Sequence, residues 1–340
     1  MATYGRTWAV VLAGGSGNRL ASLTTGEDGV QVPKQFCSFG APQSMLERTL
    51  ERTLRIVPAS RIVPVVVEGH RGWWQHQLSG IPTGNILAQP RNHGTGAAVL
   101  HALLTILDRD RDATLLIIPS DHGVEDEAVL YEATVSLLEE ARHSPGRLVL
   151  LGSEPEAAET SYGWIVRKEN GRDRACGVAR FVEKPAAREA TALLRAGALW
   201  NTLICASTTY ALALIYAESE LHWPMHVRNA APVPATDADL ALQSHEESHQ
   251  LDFSKHVLSA RADRLRVLSL PSCGWSDLGT PERMRAWMRR RELETVPSLR
   301  EVRARLQLVP VGNHSTRQTK LRHRDQNREH SIPHRRTRSG

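Results

Sequence analysis

Short, continuously apolar runs at regular intervals constrain the fold of this chain more than any other feature. Trp8-Ala-Val-Val-Leu-Ala13 has no polar alternation and is stopped by Gly14-Gly15. A strand without a polar face must be covered on both sides, which is the setting of a parallel sheet. Comparable runs occupy residues 62–67, 85–88, 114–118 and 148–151. Amphipathic stretches separate most of them. Residues 43–56 carry Met45, Leu46, Leu50 and Leu54, residues 95–107 carry Ala98, Val99, Ala102, Leu103 and Ile106, and residues 126–142 carry Val129, Leu130, Val135, Leu137 and Leu138. Such alternation predicts an α/β fold, a doubly wound, mostly parallel sheet with helices on both faces.

The rhythm changes near residue 160. Short β segments at 163–168, 176–183 and 198–206 precede a mostly helical stretch over about 207–260. One more strand, Leu265–Leu270, leads to Trp275-Ser-Asp-Leu-Gly279. A helix is expected from Pro281 to Arg291, because proline suits a first helical turn, and another over about 297–307.

The net charge of +5 belongs to the end of the chain. Residues 311–340 hold seven Arg and one Lys against one Asp and one Glu, a net of +6, so the other 310 residues carry 5 − 6 = −1. That distribution argues against nucleic acid as a partner of the folded part. The tail is almost devoid of apolar residues and is expected to be solvated and disordered. No apolar run reaches eighteen residues, and the first seven residues lack a hydrophobic leader core. Cys37, Cys176, Cys205 and Cys273 form no CxxC pair, and the fifteen histidines show no metal-binding spacing. A cytoplasmic protein with reduced thiols and no membrane span is therefore expected.

Chemistry concentrates first in Gly14-Gly-Ser-Gly-Asn-Arg-Leu20, directly after the first strand. Glycines there let backbone N–H groups approach a polyphosphate, although a structural turn would use the same residues. No Gly-Lys-Ser/Thr follows, so this is not a Walker A loop, and Leu20 stands where a dinucleotide fingerprint needs its third glycine. Arg19 adds a guanidinium able to grip phosphate, and Lys34 adds a second cation after Pro33.

Seven further motifs follow in order: Pro33-Lys-Gln-Phe36, Pro90-Arg-Asn-His-Gly94, Pro119-Ser-Asp-His122, Glu159-Thr-Ser-Tyr-Gly163, Phe181-Val-Glu-Lys-Pro185, Trp200-Asn201 and Trp275-Ser-Asp-Leu-Gly279. Together with the glycine loop, the series resembles the sugar-1-phosphate nucleotidyltransferases over roughly residues 8–290. Pro-Lys-Gln-Phe resembles their mannose-1-phosphate guanylyltransferase branch. The resemblance implies a Rossmann-like α/β/α fold with a sugar-binding extension and Mg²⁺ as cofactor. It divides the chain into a catalytic domain (1–290), a helical segment (291–310) and the basic tail (311–340).

By the same resemblance, Gly14, Gly15, Gly17, Arg91, Asn92 and Gly94 face the nucleotide. Arg19 and Lys34 hold the triphosphate, Asp121 and Asp277 hold Mg²⁺, and Lys184 holds the sugar phosphate. Gly163, Glu183, Asn201 and Asp252 surround the sugar, and His122 is structural. These roles suit the chemistry. Asp121 ends an apolar strand, and the carboxyl edge of a parallel sheet is where ligands bind. Two carboxylates from distant segments can converge on one hard cation.

The chain departs from the family at two places. Ser22 replaces a proline, and residues 24–30 form an insert between Arg19 and Lys34 that is expected to make a longer, mobile lid. Thr202-Leu203 stands where Ser-Gly is frequent, narrowing a place where a sugar should sit. The expected reaction is GTP plus mannose 1-phosphate giving a nucleotide sugar and pyrophosphate. UTP, dTTP and glucose 1-phosphate are alternatives, as is an inactive nucleotide-sugar sensor. The partners expected are small molecules, and the oligomeric state, a homodimer included, is left open.

Overall fold

The computed structural model describes residues 5–168, 175–219 and 250–290. The expected segments 291–310 and 311–340 lie outside the described residues. Among those described, nine strands form one sheet: β1 (Thr7–Leu12), β2 (Ile62–Val67), β3 (Leu87–Gln89), β4 (Thr114–Pro119), β5 (Leu148–Ser153), β6 (Gly163–Arg167), β7 (Ala175–Glu183), β8 (Leu199–Thr208) and β9 (Leu265–Leu270). Their order is β3-β2-β1-β4-β8-β5-β9-β7-β6. Eight helices accompany them: α1 (Ala21–Thr24), α2 (Met45–Leu54), α3 (Arg71–Gln77), α4 (Thr95–Arg109), α5 (Glu127–His143), α6 (Ala187–Arg195), α7 (Thr209–Glu218) and α8 (Pro281–Arg290).

The unbroken apolar runs are explained by burial on both faces. In β1, Ala9 and Val11 join one core, while Trp8, Val10 and Leu12 join the other. Leu46 and Leu50 of α2, Trp74 of α3, Leu137 of α5 and Leu193 of α6 pack into the first core. Val99 and Leu103 of α4 and Leu212 and Ile215 of α7 fill the second. Helix starts follow local chemistry. Ser44 and Glu47 make a reciprocal capping box at α2, and Asp126 accepts from the N–H groups of Ala128 and Val129 at α5. Asp121 is therefore free of capping duty.

The sheet is less parallel than the apolar runs imply. Four pairings are parallel (β1–β2, β1–β4, β2–β3, β5–β9) and five are antiparallel (β4–β8, β5–β8, β6–β7, β6–β8, β7–β9). The ten-residue β8 enters between β4 and β5 against their direction. Its pairing with β6 closes β8-β5-β9-β7-β6 into a ring. A strand buried on both faces reads the same in either direction, so apolarity alone could not reveal the reversal.

Two local features complete the fold. Residues 24–32 fold back on themselves: Gly26 N–H donates to the Val30 carbonyl, Val32 N–H to that of Thr24, and Thr25 pairs with Gln31. Of the Trp73-Trp74 pair, Trp74 is buried and donates to the Val67 carbonyl, while Trp73 is half-buried and stacks on Phe36. Among the described residues no helix is long and apolar enough to cross a membrane.

Helices α2 and α5 are tied by a bidentate pair in which Arg52 Nε and NH2 donate to Glu127 Oε2 and Oε1 at 2.8 and 2.7 Å. Burial raises the Glu127 pKa, but Arg52 and Arg48 outweigh it and hold the carboxyl below its ordinary 4.5. A depressed folded-state pKa gives stability that is present above the unfolded value and is lost as pH falls through the folded one. Glu127→Gln is expected to cost about 1–3 kcal/mol at pH 7, the range for hydrogen bonds to charged groups. The gap to wild type should close in denaturant titrations below pH 4.5. A gap independent of pH would mean that packing, not charge, is what the pair contributes.

Candidate active site

A cleft of about 310 Å³ opens at the carboxyl ends of β1 to β4. Its walls include Gly14, Gly15, Asn92, Gly94, Asp121 and Asp252, six of the residues expected from the sequence. Gly17, Arg91, Gly163, Lys184, Glu183 and Asn201 lie outside its lining, as do Arg19, Lys34 and Asp277.

Side-chain amides hold the glycine loop by its carbonyls. Gln35 Nε2 donates to the carbonyls of Ala13 and Gly15 at 2.9 and 2.8 Å. Asn92 Nδ2 donates to that of Gly14 at 3.0 Å, and Gln31 Nε2 to that of Ser16 at 3.0 Å. Side-chain amides thus fix the carbonyls of four consecutive residues, 13–16, beside the cleft. Gly17 sits at φ +68°, where a Cβ would lie 2.9 Å from the Lys34 backbone nitrogen. Its glycine thus makes room for Lys34. Gly94, at φ +93°, admits the Leu251 backbone, which a Cβ would meet at 2.4 Å. Asn92 Oδ1 also accepts from Gly94 N–H at 2.8 Å, so its amide organises the wall.

Lys34 draws the charged centre together. The lysine is 4% exposed, and its Nζ lies 3.1 Å from Asp121 Oδ2 and donates to the backbone carbonyl of Asp277. Asp277 Oδ1 accepts from Tyr162 OH (2.7 Å), Arg283 NH1 (2.7 Å) and Gly279 N–H (2.9 Å). Arg283 NH2 reaches on to Glu159 Oε2 (2.6 Å) and Ser161 Oγ (2.7 Å), and its guanidinium lies 4.5 Å from the Tyr162 ring centre. Burial raises both aspartate pKa values. Lys34 outweighs that effect at Asp121, and Arg283 with Lys34 does so at Asp277, so both stay below the ordinary range and ionised. Burial takes His122 down to about 4, against the opposing pull of Asp121. Trp275 Nε1 donates to His122 Nδ1 at 3.3 Å, which leaves the proton of the neutral ring on Nε2, 3.7 Å from Asp121 Oδ1.

Each carboxylate keeps one oxygen outside these hydrogen bonds. Asp121 Oδ1 has His122 Nε2 at 3.7 Å, and Asp277 Oδ2 has Arg19 NH2 at 3.7 Å. Two hard oxygens beside a glycine loop fit a small divalent cation that would take its remaining ligands from a bound substrate and water. No third His, Cys, Asp or Glu joins them as a metal-holding group among the described residues. Arg19 itself is 61% exposed at the cleft's edge.

Of the residues expected around the sugar, Gly163 begins β6, Glu183 ends β7 and Asn201 lies on β8. Glu183 Oε1 lies 3.1 Å from Lys184 Nζ, and Glu183 Oε2 is buried with no hydrogen-bond partner. Burial raises the Glu183 pKa more than Lys184 lowers it. A Cβ on Gly163 would lie 2.7 Å from Oε2, so Gly163 gives Glu183 its space. Lys184 is exposed and sits at φ +47°, a strained conformation of the kind that collects at functional sites. Asn201 donates to Ser254 Oγ at 3.4 Å and accepts from Leu203 N–H at 3.1 Å. Asp252 Oδ1 accepts from Lys255 N–H at 2.9 Å while also lining the cleft.

Several residues of the site escaped the sequence reading. Gln35 and Tyr162 stood inside quoted motifs without a role. Gln31 directly follows the insert, and Arg283 lies in an arginine-rich helix that nothing in the sequence sets apart. Gln89 ends β3 and lines the cleft, only 3% exposed, with an Nε2 that has no hydrogen-bond partner. A buried amide nitrogen without a partner is uncommon and marks Gln89 out among the cleft residues.

Known proteins share this sequence and architecture. The family described as Nucleotidyl transferase matches residues 8–291. The xanthan biosynthesis protein XanB of Xanthomonas campestris is 37% identical over 198 residues, 57% of this chain and 40% of XanB. Mannose-1-phosphate guanylyltransferase RfbM of Salmonella typhimurium is 31% identical over 282 residues, 80% of this chain and 56% of RfbM. The chain thus spans about half the length of these relatives. The structure of mannose-1-phosphate geranyltransferase from Thermus thermophilus superposes with a TM-score of 0.70 at 29% identity, covering 83% of this chain and 79% of that one. A UDP-glucose pyrophosphorylase superposes at 0.53 with 13% identity over 84% of this chain and 97% of that one, a likeness of fold alone. The family match spans the glycine loop, the Lys34–Asp121–Asp277 centre and the sugar-side strands together, and the chain belongs to the nucleotidyl transferase family.

Proposed function

We propose that this chain transfers a nucleotidyl group from a nucleoside triphosphate, GTP by preference, to a sugar 1-phosphate, giving a nucleotide sugar and pyrophosphate. The observation that carries the reading is the meeting of Asp121, Asp277 and Lys34 beside a glycine loop whose carbonyls are held by side-chain amides. Similarity to RfbM makes mannose 1-phosphate the first acceptor to try.

The chemistry needs no covalent enzyme intermediate. An oxygen of the acceptor phosphate bonds to the α-phosphorus, the bond from that phosphorus to the α–β bridging oxygen breaks, and pyrophosphate leaves with the electron pair. Positioning and charge neutralisation then supply the catalysis. The glycine-loop N–H groups and Arg19 hold the triphosphate, and Lys184 orients the acceptor phosphate. Lys34 neutralises charge between the two aspartates. Asp121 and Asp277 would hold Mg²⁺, which when bound neutralises phosphate charge. Tyr162 and Arg283 position Asp277 by occupying Oδ1, so that Oδ2 faces the ligand side. The doubly wound arrangement expected from the sequence serves this reading, since ligands of such sheets bind at the strands' carboxyl ends.

Gln89 supports the choice of base. Gln89 lines the cleft, and its side-chain amide, once turned toward a base, would donate to the O6 acceptor of guanine, whereas adenine presents an amino group at that position. A mismatched base would leave buried polar groups unpaired. Pyrophosphate release with saturating mannose 1-phosphate should favour GTP over ATP at least about tenfold in kcat/KM, roughly 1.4 kcal/mol, and Gln89→Ala should shrink that ratio. Preference for UTP or dTTP would overturn the guanine assignment and leave the reaction class standing.

Asp121→Asn and Asp277→Asn should each lower turnover of the folded protein by about 10²-fold or more, the scale of one electrostatic contact in a closed site, and should also lower the melting temperature, because Asp121 compensates buried Lys34 and Asp277 pairs with Arg283. Full Mg²⁺-supported activity in the Asp277→Asn protein would remove that residue from the mechanism.

A further inference from the structure

Leu203 stands at a bulge that turns its side chain out of strand alternation and onto the cleft. In the β5–β8 ladder, Leu150 pairs with Cys205 and Gly152 with Asn201. One residue of β5, Leu151, therefore spans three of β8, Thr202, Leu203 and Ile204. Bulges of this kind re-aim side chains next to binding sites. Here the surroundings hold the distortion. Thr202 Oγ1 donates to the Leu151 carbonyl at 2.8 Å and accepts from Ile204 N–H at 3.2 Å, and Asn201 Oδ1 accepts from Leu203 N–H at 3.1 Å. Leu203 is left at φ +59°, a conformation that glycine adopts freely and that strains leucine. Its side chain is half-buried and lines the cleft.

Strand order says which end of the cleft this is. Gln89 ends β3, Leu12 ends β1, Asp121 follows β4, and Leu203 lies on β8, the next strand across. β8 also carries Asn201 and pairs with β6, which begins at Gly163 opposite Glu183. Leu203 thus divides the nucleotide cleft, beyond Asp121, from the sugar-side cluster. It packs against the second core while lining the cleft, and four hydrogen-bonding groups hold its strained backbone conformation.

We infer that Leu203 is a specificity-determining residue, whose isobutyl group closes the acceptor end of the cleft to sugar 1-phosphates bearing a bulky polar ring substituent such as an acetamido group. The inference rests on the proposed use of a sugar 1-phosphate acceptor. Two physical effects support it. The side chain fills space that a glycine or alanine would leave open. It also offers no hydrogen-bond partner to an amide brought against it, and an unpaired amide is costly to bury.

The test is calorimetric binding of mannose 1-phosphate and of N-acetylglucosamine 1-phosphate to wild type, Leu203→Gly, Leu203→Ala and Leu203→Met. GTP binding and melting temperature are recorded for each. Leu203→Gly relieves the backbone strain, Leu203→Ala keeps it, and Leu203→Met conserves volume. Both small replacements should raise the affinity for the acetamido sugar relative to mannose 1-phosphate at least tenfold, while Leu203→Met keeps the wild-type ratio. The shift in GTP affinity should be smaller than the shift in that ratio. Binding of both sugars with an unchanged ratio in the Gly and Ala proteins would overturn the role of Leu203 alone. Failure of folded wild type to bind either sugar phosphate would overturn the acceptor reading beneath it.

Discussion

The candidate site depends on one buried ammonium. Lys34 has lost almost all contact with water, and an uncompensated lysine in that position would cost several kcal/mol. Its compensation comes from Asp121 Oδ2 and the Asp277 carbonyl, which arrive from opposite halves of the sequence. Satisfying Lys34 therefore fixes the end of β4 and the turn before α8 to the loop after the insert. Gly17 has no Cβ to obstruct that approach. The two aspartates stay ionised although partly buried, because Lys34 and Arg283 favour their charged forms.

Around that centre two neighbouring regions are built differently. In the glycine loop, side-chain amides of Gln31, Gln35 and Asn92 hold four consecutive carbonyls. On β6, β7 and β8 the groups are side chains, with Glu183 Oε2 buried without a partner and Lys184 exposed beside Oε1. Tyr162 links this second region to the aspartate centre. Its hydroxyl holds Asp277, its backbone carbonyl accepts from Lys184 N–H, and its ring packs on Trp200 at 4.7 Å. One residue thus holds both the Lys184 backbone and the Asp277 carboxylate.

Much of this was legible in the sequence, for identifiable reasons. Apolar runs reveal burial on both faces, so β1, β2 and β4 were readable, whereas the direction of β8 depends on pairing that no local pattern records. Asp121 and Asp277 were readable because they follow apolar strands in recognisable motifs. Asn92 and Gly163 were legible as positions, and the structure adds contacts that the sequence does not record: Asn92 fastens two loops, and Gly163 houses Glu183. Arg283 and Gln89 were not legible. The importance of Arg283 arises from a contact with Glu159, 124 positions away, and that of Gln89 from the lack of any contact at its buried nitrogen.

The central claim is that Asp121 and Asp277 face one divalent cation between the triphosphate and the acceptor. A crystal structure with GTP and Mn²⁺, read by anomalous scattering, tests it most directly. The account predicts one anomalous peak at the α-phosphate, with an oxygen of Asp121 and an oxygen of Asp277 both within coordination distance. A cation held by phosphates and other side chains, with either aspartate turned away, would contradict it.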